Sequence, residues 1–143
     1  MSLSERIRFI PRRLIADDRG WFIKVIEGNE VGLPRYTGEI YLVMAQPGQT
    51  RGGHYHRKAK EWFTVIQGTA CVFLLDIETG ESAVYTLSLL DSVTIYVPPN
   101  VFHSFRNFPI SPEPMIIAAY TDRLFDPCDT IRSKSPDLWT TAT

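Results

Sequence analysis

Gly48-Gln49-Thr50-Arg51-Gly52-Gly53-His54-Tyr55-His56, followed by Glu61 and then Gly68, is the stretch on which the reading of this chain turns. His54 and His56 are two residues apart, so on an extended strand both imidazoles point to one face while Tyr55 points to the other. Glu61 lies past the basic turn Arg57-Lys58-Ala59-Lys60 and can return to the same face from the next strand. The remaining histidine, His103, comes from a distant strand. All the histidines of the chain therefore fall in two segments that could share one barrel interior.

Outward from that stretch, no convincing 3.6-residue period appears, whereas short runs rich in β-branched and aromatic residues recur between turn signals. They predict strands at Trp21–Glu27, Ile40–Gln46, Gly53–His56, Trp62–Gln67, Thr69–Asp76, Ala83–Leu87, Val93–Val97, Phe102–Asn107 and Met115–Tyr120, with Arg6–Ile10 as a possible edge strand. Gln67-Gly68 is expected to fold the chain straight back, and Glu78-Thr79-Gly80-Glu81 to close a hairpin. Many strands joined by short polar turns, without a long helix, predict an all-β barrel or jelly roll. The proline-bearing segment Asn107–Pro114 should be an ordered surface loop. Beyond Tyr120 the pattern dissolves into Phe125-Asp126-Pro127-Cys128-Asp129 and a polar tail ending in Trp139.

Composition narrows the partners. With 143 residues, 44% of them hydrophobic, the chain suits a single domain spanning 1–143. Fifteen basic and sixteen acidic residues leave a net charge of −1, so no general field draws nucleic acid or an anionic membrane. An anionic ligand must be held by local arginines. The start of the chain lacks the basic and apolar pattern of a signal peptide, and no apolar run approaches the ~18 residues of a membrane span, so a cytoplasmic protein is expected. Cys71 and Cys128 lie too far apart for a redox or zinc-ribbon spacing and are expected to be free thiols.

Three imidazole nitrogens and one carboxylate suit a divalent zinc, iron, manganese or nickel ion, with one or two positions left for water or substrate. The same groups without metal suit proton transfer, since an imidazole titrates near ~6.5. Glu61 distinguishes the two. Facing inward it must meet a metal, a histidinium or a hydrogen-bond donor; facing outward it joins Lys58 and Lys60 in a charged turn. No organic cofactor is expected.

The stretch from Gly48 to Gly68 resembles the first sequence motif of the cupins at every defined position: a glycine, the His-x-His pair, a glutamate and a closing glycine. Pro98, His103 and Asn107 match the second motif, in which Ser92 and Asn100 stand where cupins have glycines; both can occupy turns. The resemblance implies a cupin-type double-stranded β-helix, a jelly-roll barrel. Asp17-Asp18-Arg19-Gly20-Trp21-Phe22 and Arg51-Gly52-Gly53-His54 further resemble segments of dTDP-4-dehydrorhamnose 3,5-epimerases and dTDP-4-oxo-6-deoxyglucose 3,4-ketoisomerases, and Phe125–Arg132 resembles the ending of the ketoisomerases. The C-terminal cupin of bifunctional capsular-sugar enzymes is similar in its His-Tyr-His followed by Glu, binds metal, and has a Phe-Asp-Pro segment. These likenesses run roughly from Ile10 to Arg132.

What the resemblance implies is an isomerase or epimerase of a nucleotide-linked 4-keto-6-deoxy sugar, 3,4-ketoisomerase-like, in polysaccharide or deoxysugar biosynthesis. It moves a proton alpha to the ketone, with His54 as base and His56 as shuttle partner or second ligand. Arg19 and Arg51 would meet the nucleotide diphosphate. Trp21, with Phe22 and Trp62, would stack on the base. A homodimer is expected, its N-terminal strand crossing over with Arg19. Two departures matter. The epimerases place a catalytic tyrosine three residues before a Thr-Asp pair, where this chain has Ala118, which argues against 3,5-epimerisation. The ketoisomerases have glutamine where Glu61 stands, which strengthens a metal site made of His54, His56, Glu61 and His103. The alternative is a metal-dependent small-molecule cupin, a dioxygenase or metal-assisted isomerase.

Overall fold

The computed structural model describes residues 1–18, 20–23, 25–33 and 38–133. A single helical turn, α1 (Leu3–Arg6), opens the chain under a reciprocal cap of Ser2 and Glu5. Twelve strands follow: β1 (Arg8–Pro11), β2 (Ile15–Asp17), β3 (Gly20–Phe22), β4 (Glu39–Ala45), β5 (Thr50–Tyr55), β6 (Glu61–Gln67), β7 (Thr69–Asp76), β8 (Ser82–Ser88), β9 (Val93–Val97), β10 (Val101–Asn107), β11 (Met115–Thr121) and β12 (Ile131–Arg132). They form two antiparallel five-stranded sheets, ordered β1-β9-β6-β11-β4 and β12-β5-β10-β7-β8, while among the described residues β2 and β3 pair only with each other. This is the expected cupin-type jelly roll. Alternate residues of both sheets face inward, and Phe63, Val65, Val72, Leu74, Ile95, Val97, Phe105, Met115 and Ile117 make its core.

Most expected strands are present within a residue or two, and Arg8–Pro11 is an edge strand. Three expectations need correction. Trp21–Glu27 is strand only as far as Phe22. Gln67-Gly68 does not fold the chain back onto its neighbour: β6 and β7 lie in different sheets, and Gly68 makes the corner at φ 74° with no room for a side chain, since a Cβ there would sit 2.8 Å from the Pro114 carbonyl. The tail contributes β12, which pairs with β5 and was not foreseen. The Glu78–Glu81 hairpin is as read, joining β7 to β8 with Gly80 at φ 77°. Ser92 and Asn100 do occupy left-handed turns, at φ 52° and 63°. The proline loop is ordered at its ends by Asn107, whose amide donates to the carbonyls of Ala45 and Glu113. Cys71 and Cys128 are free thiols, and among the described residues no helix is long and apolar enough to cross a membrane.

The segment 25–33 packs over the outer face of the first sheet because that face is unusually apolar. Trp62, Thr64 and Thr94 point outward yet are buried. Val25 and Ile26 line a small space beside Trp62, Thr64 and Tyr120. A buried ion pair holds the segment down: the Arg12 guanidinium lies 2.6 Å from Glu30 and also donates to the Val25 carbonyl. Burial alone would raise the Glu30 pKa. The N–H groups of Glu27 and Gly28 and the Arg12 guanidinium outweigh it, taking the carboxyl from 4.5 to about 2. A carboxylate whose folded pKa is depressed stabilises the fold above its unfolded value and loses that contribution as pH falls through the folded one. Glu30→Gln, which strands the Arg12 charge, should therefore cost about 3 kcal/mol in urea unfolding at pH 7. The gap from wild type should close between pH 4.5 and about 2; a gap constant over that window would show that Glu30 is not ionised in the fold.

Candidate active site

At one end of the barrel the inward-facing residues are polar. The bulge in β5 decides which of them gather there. Gly52 and Gly53 both take positive φ, 83° and 77°, and two residues of β5 face one of β10, so that His54 pairs with His103 while Gly52 pairs with Ser104 and Arg51 with Phe105. The extra residue reverses the alternation, which brings Arg51 onto the face of His54 instead of the opposite one. No side chain could replace Gly52, because a Cβ would lie 2.9 Å from the His103 carbonyl. Arg-Gly-Gly-His is thus a device for placing a guanidinium and an imidazole on one wall.

His54, His56, Glu61 and His103 converge, their ligand atoms all within 4.8 Å of one another. Glu61 faces inward and is 3% exposed, which rules out the charged-turn placement. Its Oε1 lies 2.8 Å from His56 Nε2 and 3.2 Å from His103 Nε2. Its Oε2 accepts a hydrogen bond from the Tyr41 hydroxyl at 2.7 Å. The other ring nitrogens are fixed from outside: His56 Nδ1 donates to the Asp129 carbonyl at 2.8 Å and His103 Nδ1 to the Val101 carbonyl at 3.1 Å. Both Nε2 atoms therefore face the same carboxylate oxygen.

His54 Nδ1, His56 Nε2, Glu61 Oε1 and His103 Nε2 are each buried, and each lacks an aligned hydrogen-bond partner among the described residues. Ring nitrogens and a carboxylate oxygen buried this close together are costly unless a cation or a shared proton stands among them. Two nitrogens and a carboxylate oxygen, each oriented through its second polar atom, form the donor set of a divalent transition-metal site, and the residues fit such an ion. Without one, burial would lower the pKa of His56, but the Glu61 carboxylate and Asp129 outweigh burial and raise it. Burial would likewise raise Glu61, but His103 and His56 hold it far below the usual carboxylate range. Burial and the neighbouring His103 and His56 push His54 down to about 3, so its ring is neutral at physiological pH. Burial and Glu61 push the Tyr41 hydroxyl far up, so it stays a donor.

The cluster opens into a cavity of about 920 Å³, large enough for a nucleotide-sized ligand. Arg51, Lys58, Arg123 and Arg132 line it, and Leu124 and Phe125 are exposed along it. Arg132 pairs with His54 across β12 and β5, which puts it on the cavity face. Phe63 packs behind His103, with ring centroids 5.4 Å apart, and separates the polar end from the core. Of the residues expected to bind substrate, Arg51 is on the wall. Arg19 lies outside the described residues, and so does the side chain of Trp21, whose backbone belongs to β3. Ala118 and Tyr120 do not line the cavity; they border the small space under Val25 and Ile26 on the outer face, so β11 supplies no tyrosine to the site. Tyr41, Asp129 and Arg132 are contributions that spacing alone did not single out, although Asp129 and Arg132 belong to the tail segment already quoted.

A sequence model of the polysaccharide biosynthesis C-terminal domain matches residues 15–131. The chain belongs to that family. Among curated proteins, this polysaccharide biosynthesis C-terminal domain is 27% identical over 111 residues to UDP-2-acetamido-2,6-beta-L-arabino-hexul-4-ose reductase of Pseudomonas aeruginosa, covering 78% of this chain but only 28% of that protein. Among solved structures it resembles a dTDP sugar isomerase from Desulfovibrio desulfuricans G20, with a TM-score of 0.83, 20% identity and coverage of 94% and 88% of the two chains. It also resembles a double mutant of the 3,4-ketoisomerase QdtA from Thermoanaerobacterium thermosaccharolyticum in complex with TDP, with a TM-score of 0.73, 26% identity and coverage of 99% and 96%.

Proposed function

We propose that this protein is a sugar-nucleotide isomerase or epimerase that moves a proton on the carbon next to a ketone, with the His56, Glu61 and His103 side chains holding a divalent metal ion. The observation that carries the reading is the set of buried ring nitrogens and carboxylate oxygen that lack an aligned hydrogen-bond partner among the described residues, placed at the floor of a cavity whose wall carries arginines. The likeness to QdtA, solved with TDP, supports the substrate class. A bound metal ion would supply a Lewis acid for the ketone oxygen, stabilising the charge of the enediolate.

The chain's own residues do the rest. His54 takes the proton: it stands beside the three other groups, and no hydrogen bond orients its second nitrogen among the described residues, unlike those of His56 and His103. Arg51 and Arg132 meet the diphosphate, since guanidinium presents two parallel donors to phosphate oxygens. Tyr41 holds Glu61 in place and remains protonated while it does so. Phe63 and Phe105 close the floor against water.

Nucleotide binding is the first test. At a concentration a hundred times its Kd, dTDP or UDP should stabilise the protein by about 2.7 kcal/mol, seen as a rise of several degrees in Tm. Neither nucleotide moving the Tm, in a sample that holds iron and consumes oxygen, would replace this reading by a dioxygenase.

The active form is proposed to be a homodimer. Edge strand β4 turns Ile40, Leu42 and Met44 outward at 70%, 68% and 45% exposure, an apolar row that a second copy would cover. Sedimentation at micromolar concentration should give twice the chain mass; a monomer would refute it.

A further inference from the structure

The turn that separates His56 from Glu61 owes its shape to two aspartates more than sixty positions away. Asp129 accepts the N–H groups of Arg57, Lys58 and Ala59 on its carboxylate, at 2.8, 3.2 and 3.2 Å. Asp122 accepts the next N–H, that of Lys60, at 2.9 Å, and its own N–H returns to the Lys60 carbonyl at 3.1 Å. Four successive donors of one turn are thus received by two buried carboxylates. Asp129 also receives the His56 Nδ1 proton on its main-chain carbonyl.

From this arrangement we infer that Asp129, seconded by Asp122, is a positioning residue of the site. It sets the His56 ring and the Glu61 carboxylate against each other, and ties the segment 122–132, which carries Arg123, Phe125 and Arg132, to the floor of the cavity. The chemistry favours a carboxylate over an amide. Each oxygen of Asp129 accepts without offering a hydrogen, whereas asparagine would aim two N–H groups at the N–H groups of the turn. The same side chain cannot be replaced by a water alone, because the carbonyl that holds His56 moves with it.

The inference rests on the site proposed above but not on its substrate, and its test can fail without touching that reading. In wild-type protein loaded with Zn²⁺, histidine-labelled nitrogen NMR should show a His56 Nδ1 proton that exchanges slowly with solvent, because the Asp129 carbonyl holds it. Asp129→Asn should speed that exchange and weaken Zn²⁺ binding, measured against a chromophoric chelator, by about tenfold to a hundredfold. Asp122→Asn, which does not touch His56, should leave the exchange unchanged and weaken Zn²⁺ binding less. A folded Asp129→Asn protein with wild-type exchange and wild-type Zn²⁺ affinity would overturn the assignment. Should that variant not fold, a wild-type Nδ1 proton that exchanges as fast as that of a free imidazole would overturn it equally.

Discussion

Glu61→Gln is expected to empty the metal site: less than about a tenth of an equivalent of any transition metal, against close to one in wild type, with kcat lower by about 10³-fold. The argument is electrostatic and geometric together. Glu61 supplies the site's one anionic donor, and its Oε1 is the point to which both oriented imidazoles turn. Glutamine preserves the volume and can still accept from the Tyr41 hydroxyl, but its neutral oxygen gives a divalent ion far less to hold. Elemental analysis of protein purified without a polyhistidine tag, before and after chelator, makes the comparison. Wild-type protein carrying less than about a tenth of an equivalent of metal, with activity indifferent to chelator, would end the metal reading and leave the histidines as bare acid and base.

The sequence shows why the cluster could be read before the fold was seen. His54 and His56 share a face through simple alternation, and Glu61 needs only a short turn to come back beside them, so the donor set was legible from spacing. Its surroundings were not, because they depend on pairings between distant segments. Arg51 reaches the cavity through a two-glycine bulge, and in a bare alternation it would have faced away from His54. Asp129 acts through hydrogen bonds across more than seventy residues, with no local periodicity to announce them.

The strands were legible where β-branched runs met turn residues, and their order was not. Gly68 looks like the centre of a tight hairpin. A single glycine between two strands in different sheets gives the same local pattern, and only packing against Pro114 and Met115 tells them apart. Trp21–Glu27 looked like one strand because it is apolar, but part of that apolar surface covers the outer sheet face from a non-strand conformation, anchored by Arg12 and Glu30. Burial, which the apolar pattern reports, and extension, which was inferred from it, came apart there.

His54→Asn should lower kcat by roughly 10²–10⁴-fold while the metal content stays at the wild-type level, and Tyr55→Phe should lower it less than about tenfold. Asparagine places an amide near the position of His54 Nδ1, so the cavity keeps its shape, but it has no nitrogen lone pair to take a proton. His56 and His103 are fixed by main-chain carbonyls, and Glu61 by Tyr41, so these three can keep an ion without His54. Tyr55 belongs to the opposite face of β5, where it pairs with Ile131. The two substitutions, one residue apart, thus separate the facing of the strand from its mere location. Metal content and kcat measured on the same samples read the outcome. A His54→Asn protein that loses metal in step with activity would make His54 the fourth ligand and move the base elsewhere, and a Tyr55→Phe protein as impaired as His54→Asn would overturn the register of β5.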